Sequence, residues 1–220
     1  MDWWAAVDGY CERTGPEYWS EPVNALTNLA FVLAALVMWR RVRGQGMPVA
    51  VLLCAVLAVI GVGSWLFHTH ANRATGLMDV LPIVVFVLIY IFAASRDILG
   101  MKGWQAGVAV VAFFPYAAAT IPLFRLIPGI GSSAAYVPVP VLIVIYAALA
   151  ARRHPATALN LFLGAAILAV SLTFRSLDMP VCGGFPLGTH FLWHLLNGLM
   201  LGWMIETYRR HLLASRAAGG

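Results

Sequence analysis

Five residues in two short stretches of this sequence have side chains that could do chemistry. The stretch GSWLFHTHANRATGLMDVLP contains Ser64, His68 and Asp79, and the stretch GTHFLWHLLNG contains His190 and His194. The two later histidines are four residues apart, so on a helix both imidazoles lie on one face and can reach one metal ion. A third imidazole from His68 would complete the three-histidine set of a catalytic zinc ion, with a fourth position open to water.

The remaining two residues fit roles around such an ion. Asp79 could orient or deprotonate the water, or it could hydrogen-bond a ligating histidine. Ser64 precedes His68 by four residues, so the two share one helix face. Magnesium and calcium prefer oxygen ligands, which makes zinc the better match for three imidazoles. His70, two residues after His68, is an alternative ligand.

Each residue also has an ordinary structural interpretation. Histidines near a membrane surface can simply bond neighbouring helices or water, Ser64 can pack between helices beside Gly61 and Gly63, and Asp79 can stabilise a helix N-terminus. Ionisable groups in or at the ends of membrane spans are costly, however. Four of them converging from three helices at one depth favour a shared site.

The elements that position these residues are apolar helices. The chain has 220 residues, of which 61% are hydrophobic and 10% charged, and its mean hydropathy is +0.83, which excludes an ordinary soluble domain. We predict an all-α bundle of seven transmembrane helices in a single domain over residues 1–220, with an outer acidic segment at 1–21 and the bundle at 23–208. The predicted spans are Val23 to Trp39, Pro48 to Phe67, Met78 to Ala94, Trp104 to Phe124, Ala134 to Ala151, Thr157 to Phe174 and Gly188 to Tyr208.

The basic residues predict the orientation of the bundle. Ten of the 14 lie in the first, third and fifth loops and the carboxyl tail: Arg40, Arg41, Arg43, Arg96, Lys102, Arg152, Arg153, Arg209, Arg210 and Arg216. By the positive-inside rule the amino terminus is outside and the carboxyl terminus is cytoplasmic. The net charge of +5 therefore reflects the membrane topology and does not indicate a surface that binds nucleic acid. The candidate site falls at the outer face.

Acids and cysteines also collect on the outer side. Asp8, Glu12 and Glu21 lie in the amino-terminal segment and could bind calcium through oxygen ligands, or they could form a solvated acidic loop.

Cys11 and Cys182 share the outer, oxidising side, where either a disulfide or two free thiols would persist. In a bacterial cell that side is the periplasm. The amino terminus has no basic region before an apolar core, so no cleaved signal peptide is expected.

The sequence resembles the alkaline ceramidase family, which belongs to a larger group with the adiponectin and progestin receptors. The resemblance lies in five segments: DGYCER, EPVNALTNLAF, GSWLFHTHANRATGLMDVLP, FRSLDMPVC and HFLWHLLNGL. It implies seven membrane helices and a zinc ion held by His68, His190 and His194. Ser64 would stabilise water or the developing oxyanion, and Asp79 would activate the water.

The resemblance has further implications for the outer segment. Asp8, Glu12 and Glu21 match acidic calcium ligands of the family, and Cys11 and Cys182 match its disulfide pair. The interval between the two glutamates is shorter than the family pattern, so the calcium site is the least secure part of the match.

These observations predict an integral-membrane, zinc-dependent amide hydrolase. Ceramide, a sphingolipid, or another lipid amide would enter from the bilayer, with its acyl chain between helices lined by Phe67, Phe86, Phe92, Phe162 and Trp193. Two alternatives remain: a receptor-like or structural zinc protein without turnover, and a transporter or proton-conducting protein. Transport would favour ionisable residues continuing across the membrane, and the sequence has none between the outer cluster and the inner loops.

Overall fold

The computed structural model describes residues 2–219, which form a helical bundle. In this part of the chain the only β-type pairing is an isolated bridge between Ala6 and Asn72, so the all-α prediction is confirmed. The α-helices are α1 (Pro22–Thr27), α2 (Leu29–Val42), α3 (Pro48–His70), α4 (Arg73–Ala93), α5 (Gly103–Phe124), α6 (Pro138–Ala150), α7 (Pro155–Val181) and α8 (His190–Gly219). A π-helical turn, Ala94–Ile98, continues α4, and a 3₁₀ turn, Gly131–Ala135, precedes α6.

Six helical segments between residues 2 and 219 are long and apolar enough to cross a bilayer. They are Pro22–Val42, Pro48–His70, Arg73–Ile98, Gly103–Phe124, Gly131–Ala150 and Pro155–Val181. The chain is therefore a multi-pass membrane protein. Helix α8 has 30 residues, enough for a crossing, but its histidines, Asn197 and Glu206 lower its hydropathy, and it is not one of the six. The seventh span and the orientation of the bundle stay predictions.

The boundary between α3 and α4 differs from the sequence prediction in a way that matters for the site. Helix α3 continues to His70, and α4 begins at Arg73 and not at Met78. The early start comes from a capping box: the Asn72 side chain accepts from the Thr75 backbone at 3.0 Å, and the Thr75 hydroxyl accepts from the Asn72 backbone at 3.2 Å. Asp79 therefore lies about two turns inside α4 and does not open it.

The long helices pack as a ring around a common interior. Helix α3 packs on α4 and α2, α2 packs on α8, α8 on α7, and α7 on α6. Helix α5 packs less closely, against α4, α6 and the two short turns, and Ala106 is its only buried residue. The end of the bundle where α3 finishes and α8 begins is called the outer end below, and the opposite end is called the inner end.

The amino-terminal segment, residues 2–21, lies across the outer end. Its backbone bonds to the α3–α4 turn, with Val7 donating to the Ala71 carbonyl at 2.8 Å. A disulfide joins Cys11 to Cys182 beyond the end of α7, across Cα atoms 5.5 Å apart, as the sequence resemblance implied. Cys54 is a free, buried thiol. The segment is thereby held over the entrance of α8.

Candidate metal centre

Three imidazoles meet at the outer end of the bundle. His68 is in the last turn of α3, and His190 and His194 are in the first turns of α8. All three side chains are buried, and their ring centroids are 4.6 to 5.2 Å apart. One ligand atom from each lies within 4.8 Å of those of the other two, and among residues 2–219 this is the only such group of histidine, cysteine or acidic side chains. The structure therefore brings together the three histidines that the sequence proposed.

Each of these rings has a nitrogen without a partner in the protein. The unpartnered atoms are Nε2 of His68, Nδ1 of His190 and Nε2 of His194. Leaving a buried ring nitrogen unbonded costs free energy, and three such atoms at one point need a common explanation. A metal ion satisfies all three together, and imidazole nitrogen is a preferred ligand of zinc. The residues present thus fit the zinc ion that the sequence analysis predicted.

Neighbouring side chains set the orientation of two of the rings. The Nδ1 atom of His68 lies 2.6 Å from Glu21 Oε2, and the Nδ1 atom of His194 lies 2.9 Å from Thr27 Oγ1. The Thr27 hydroxyl donates to the Val23 carbonyl at 2.8 Å, so it accepts from the histidine. Both rings therefore carry their proton on Nδ1 and turn the Nε2 lone pair toward the centre. In metal sites, a hydrogen bond to the ring nitrogen that does not bind the metal typically orients the histidine ligand.

A close helix contact places the candidate base beside the histidines. Gly63 on α3 faces the backbone of Met78 on α4, and a Cβ atom at this position would collide with the Met78 carbonyl. This close approach brings together the residues that follow them, Ser64 on α3 and Asp79 on α4. The polar groups that interact with the Asp79 carboxylate include Ser64, His68 and the cationic Arg175. Ser64 and Asp79 therefore occupy the same small region as the histidines, as the sequence predicted.

A long apolar cavity opens next to this region. Residues of α2, α3, α4, α6, α7 and α8 line it. Ser64 and Asp79 are at its polar end, and Phe86 and Trp193 are among its walls. Phe67, Phe92 and Phe162, which the sequence analysis also placed on such a wall, do not line it. Phe162 lies on the outside of α7 and is 54% exposed.

Nearly the whole chain matches a known family. Residues 7–217 match the ceramidase family, and comparison with curated proteins gave no match. The chain belongs to the ceramidase family. This match covers all five residues of the candidate site, and it confirms the resemblance that the sequence segments suggested. Membership implies a membrane amide hydrolase.

The three acids expected to bind calcium do not form one cluster. Asp8 is exposed, and Glu12 accepts the Val23 and Asn24 backbone N–H groups at 2.7 and 2.8 Å, at the start of α1. Burial raises the pKa of Glu12, and these two hydrogen bonds oppose the rise. Glu21 belongs instead to the metal centre, as the partner of His68. Calcium binding by these three residues stays a prediction.

Glu21 is a carboxylate with three cationic or polar partners. Its Oε1 atom accepts from Arg13 Nε at 2.5 Å, while Oε2 accepts from His68 Nδ1 and from the Asn24 amide at 3.1 Å. Burial pushes the pKa of Glu21 upward, but the hydrogen bond from His68, the charge of Arg13 and the hydrogen bond from Asn24 outweigh it, so the pKa is below its usual value. Glu21 is thus ionised as the acceptor for the His68 ring.

Two residues that sequence reasoning missed complete the candidate site. Asp178, buried near the end of α7, accepts the backbone N–H groups of Thr189 and His190 at 2.8 and 2.9 Å and that of Cys11 at 3.0 Å. It thereby fixes the first turn of α8, which carries two of the histidines. Tyr10 covers the centre, with its ring stacked on His190 at 3.8 Å. Burial raises the pKa of Tyr10 despite the nearby guanidinium of Arg175.

The alternative ligand His70 is outside the site. It is exposed at the last residue of α3, where its ring meets Tyr18. The signal that could have found Asp178 was its place in FRSLDMPVC, a segment that already carried the family resemblance. Tyr10 had no comparable signal, because its stacking on His190 depends on how the amino-terminal segment folds over the bundle.

Proposed function

We propose that this ceramidase is a zinc-dependent integral-membrane hydrolase that cleaves the N-acyl bond of ceramide or a related lipid amide. The products are a fatty acid and a long-chain amine. One observation carries the proposal: three unpartnered imidazole nitrogens converge beside a carboxylate at the polar end of an apolar cavity. His68, His190 and His194 would hold the zinc ion. When bound, zinc supplies Lewis acidity, which polarises an amide carbonyl and makes a nearby water more acidic.

The protein's own groups account for the proton transfers. Asp79, within the polar cluster, accepts a proton from the attacking water as its oxygen bonds to the amide carbon. Ser64 donates a hydrogen bond to the oxygen that becomes negative as the carbonyl opens. Asp79 then returns the proton to the amide nitrogen as the carbon–nitrogen bond breaks. The water oxygen ends in the fatty acid, and the amine leaves with the proton.

The cavity supports a lipid as the substrate. Apart from Ser64, Asp79 and Asn197, its walls are aliphatic, aromatic or thioether side chains, which suit an acyl chain and exclude water. Because the cavity lies among helices that cross the bilayer, we infer that the substrate enters laterally from the membrane. The orientation predicted from the basic residues puts the reaction near the periplasmic face of a bacterial inner membrane.

The test is a paired measurement of metal content and fatty-acid release. Purified protein in detergent is expected to contain about one zinc ion per chain and to release fatty acid from ceramide or another N-acyl lipid. His194→Ala should lose both properties, whereas Asp79→Asn should keep zinc and lose turnover. An Asp79→Asn variant with full activity and bound zinc would contradict the mechanism. Bound zinc in a wild-type protein that hydrolyses no lipid amide would favour the receptor-like or structural alternative.

A further inference from the structure

Arg13, in the amino-terminal segment, has a guanidinium whose three nitrogens each contact a different oxygen. Nε donates to Glu21 Oε1 at 2.5 Å, Nη1 donates to the Gly15 carbonyl at 3.0 Å, and Nη2 donates to the His68 carbonyl at 3.1 Å. The side chain of Arg13 is only 4% exposed. One carboxylate and two backbone carbonyls thus surround a single fixed positive charge.

The guanidinium reaches the candidate metal centre by two routes, and both lead to His68. Through side chains, Arg13 bonds one oxygen of Glu21, and the other oxygen accepts from His68 Nδ1 at 2.6 Å. Through the backbone, Arg13 bonds the carbonyl of His68 itself. Helix α3 ends at His70, so this carbonyl belongs to the last turn, where helix carbonyls have no partner within the helix. Arg13 therefore holds both the ring and the backbone of one candidate ligand.

The oxygens around Arg13 are of the kind that calcium binds, and the sequence resemblance implied calcium on this segment. Calcium takes about six to eight oxygen ligands from carboxylates, backbone carbonyls and water. Here the Glu21 oxygen and the two carbonyls already accept from a cation. A calcium ion at the same place would lie against a like charge in a buried site, which is strongly unfavourable. The surroundings of Glu21 therefore do not fit a calcium ion.

The other two acids expected to bind calcium do not build a site without Glu21. Both carboxylate oxygens of Glu12 accept backbone N–H groups at the start of α1, and Asp8 is exposed. Among residues 2–219, the three histidines are the only group of histidine, cysteine or acidic side chains close enough to hold one ion. The amino-terminal carboxylates thus bond to the protein or face solvent.

We propose that Arg13 is a built-in cation that stands where calcium was expected and that positions His68 for metal binding. The inference rests on the zinc centre of the proposed function, and it is an alternative to the calcium prediction. A guanidinium keeps its charge at every physiological pH, so the zinc centre should not depend on the calcium concentration. Its planar N–H groups also suit three separate acceptors better than the point charge of a lysine.

The first experiment measures zinc affinity by competition with a zinc-selective chelator. Arg13→Gln should weaken the affinity by about 10 to 100-fold, the range for residues that support a metal ligand. Arg13→Lys should recover part of the loss, because lysine restores the charge but not the three bond directions. Arg125→Gln, at an exposed arginine after α5, should keep the wild-type affinity. Wild-type affinity in Arg13→Gln would overturn the proposal, and thermal unfolding shows that each variant is folded.

The second experiment adds calcium. The zinc affinity of calcium-depleted wild type should stay unchanged at about 1 mM calcium, a concentration that fills extracellular calcium modules. Arg13→Glu puts a carboxylate among oxygens that are already present, so its zinc affinity should be low without calcium and rise about tenfold with it. Magnesium should not substitute, because it demands a smaller octahedral site. An Arg13→Glu variant that does not respond to calcium would overturn the proposal. Calorimetry that detects calcium binding by wild type but not by Glu21→Gln would do the same.

These measurements are separate from the hydrolase assay, because none of them requires turnover. Wild type that binds zinc but hydrolyses no lipid amide would refute the hydrolase, and the zinc affinities would still decide the role of Arg13. Wild type that hydrolyses lipid amides while Arg13→Gln keeps its zinc affinity would refute only the role of Arg13.

Discussion

Buried histidines lie at both ends of the bundle, and they differ in what their ring nitrogens contact. At the inner end, both nitrogens of His211 are bonded: Nδ1 lies 3.1 Å from Thr157 Oγ1, and Nε2 lies 2.9 Å from the Asp97 carbonyl. At the outer end, each of three buried histidines keeps one nitrogen without a partner. Burial of a polar side chain therefore does not identify a binding site. A binding site is indicated by several buried nitrogens that have no hydrogen-bond partner and that converge on one point.

The carboxylates show the same difference. At the inner end, Glu206 pairs with Arg209 and Arg210 at 2.8 and 2.7 Å, and Asp97 accepts from Arg96 and from the Tyr208 hydroxyl. Asp79, at the outer end, forms no ion pair in the described chain and faces an apolar cavity. At the inner end, the charged side chains pair with one another and hold helices together. At the outer end, the Asp79 carboxylate has no ion pair and is available to act as a base.

The largest effect is expected from comparing His194→Ala with His211→Ala. Loss of a ligand should remove zinc and lower fatty-acid release by about 10³-fold or more, since Lewis-acid catalysis contributes several kcal/mol and about 1.4 kcal/mol is a factor of ten. His211→Ala should keep both zinc and turnover and lose only stability. Metal analysis and a fatty-acid assay check the pair. Equal zinc loss in both variants would erase the proposed difference between the two ends.

The next effect concerns the carboxylates. Asp79→Asn should lower turnover by about 10² to 10⁴-fold with zinc retained, because a positioned general base contributes that much. Asp97→Asn removes the inner carboxylate and should leave turnover per folded molecule unchanged. Single-turnover assays on zinc-loaded proteins measure both. If the inner variant lost as much activity as the outer one, Asp79 would have no special role.

A smaller effect is expected at the glutamates. Glu21→Gln keeps the shape of the side chain that contacts His68 but removes its charge, and it should weaken zinc affinity by about 10 to 100-fold. Glu206→Gln should leave zinc affinity as it is. Competition with a zinc chelator measures the zinc dissociation constant of each variant. Unchanged affinity in Glu21→Gln would limit this residue to packing with Arg13.

The smallest expected effect comes from comparing two threonines whose hydroxyls bond to the Nδ1 atom of a buried histidine. Thr27→Val removes the hydroxyl that accepts from His194 and should weaken zinc binding by about tenfold, the lower range for an outer partner. Thr157→Val removes the hydroxyl that donates to His211, whose Nε2 atom donates to the Asp97 carbonyl, and should not affect zinc binding. The same chelator titration decides between them. Equal effects would mean that the valines act through general destabilisation.

Much of this site could be predicted from the sequence, because spacing on a helix fixes direction. The interval between His190 and His194 puts both rings on one face whatever the rest of the fold, and the apolar runs place His68 at the same depth. The all-helical fold follows from the same runs. The start of α4 was misplaced because Asn72 and Thr75 form a capping box ahead of the apolar pattern, so the helix begins before its hydrophobic part.

The rest depends on contacts between segments far apart in the chain. Thr27 is an ordinary helix residue in sequence, and its contact with His194 arises only because α1 packs on α8. Glu21 looked like a calcium ligand because a carboxylate in sequence does not reveal its partner. The neighbours of Arg175 come from the amino-terminal segment and from the turn before α6, and no local pattern joins them.

The distribution of the three ligands along the chain has a consequence for biosynthesis. A nascent protein that has been translated as far as α7 possesses one of the three imidazoles, and the other two arrive only with the last helix. Metal can then be captured only by a finished polypeptide whose first and last parts have met. Truncated products would leave the ribosome without a functional centre.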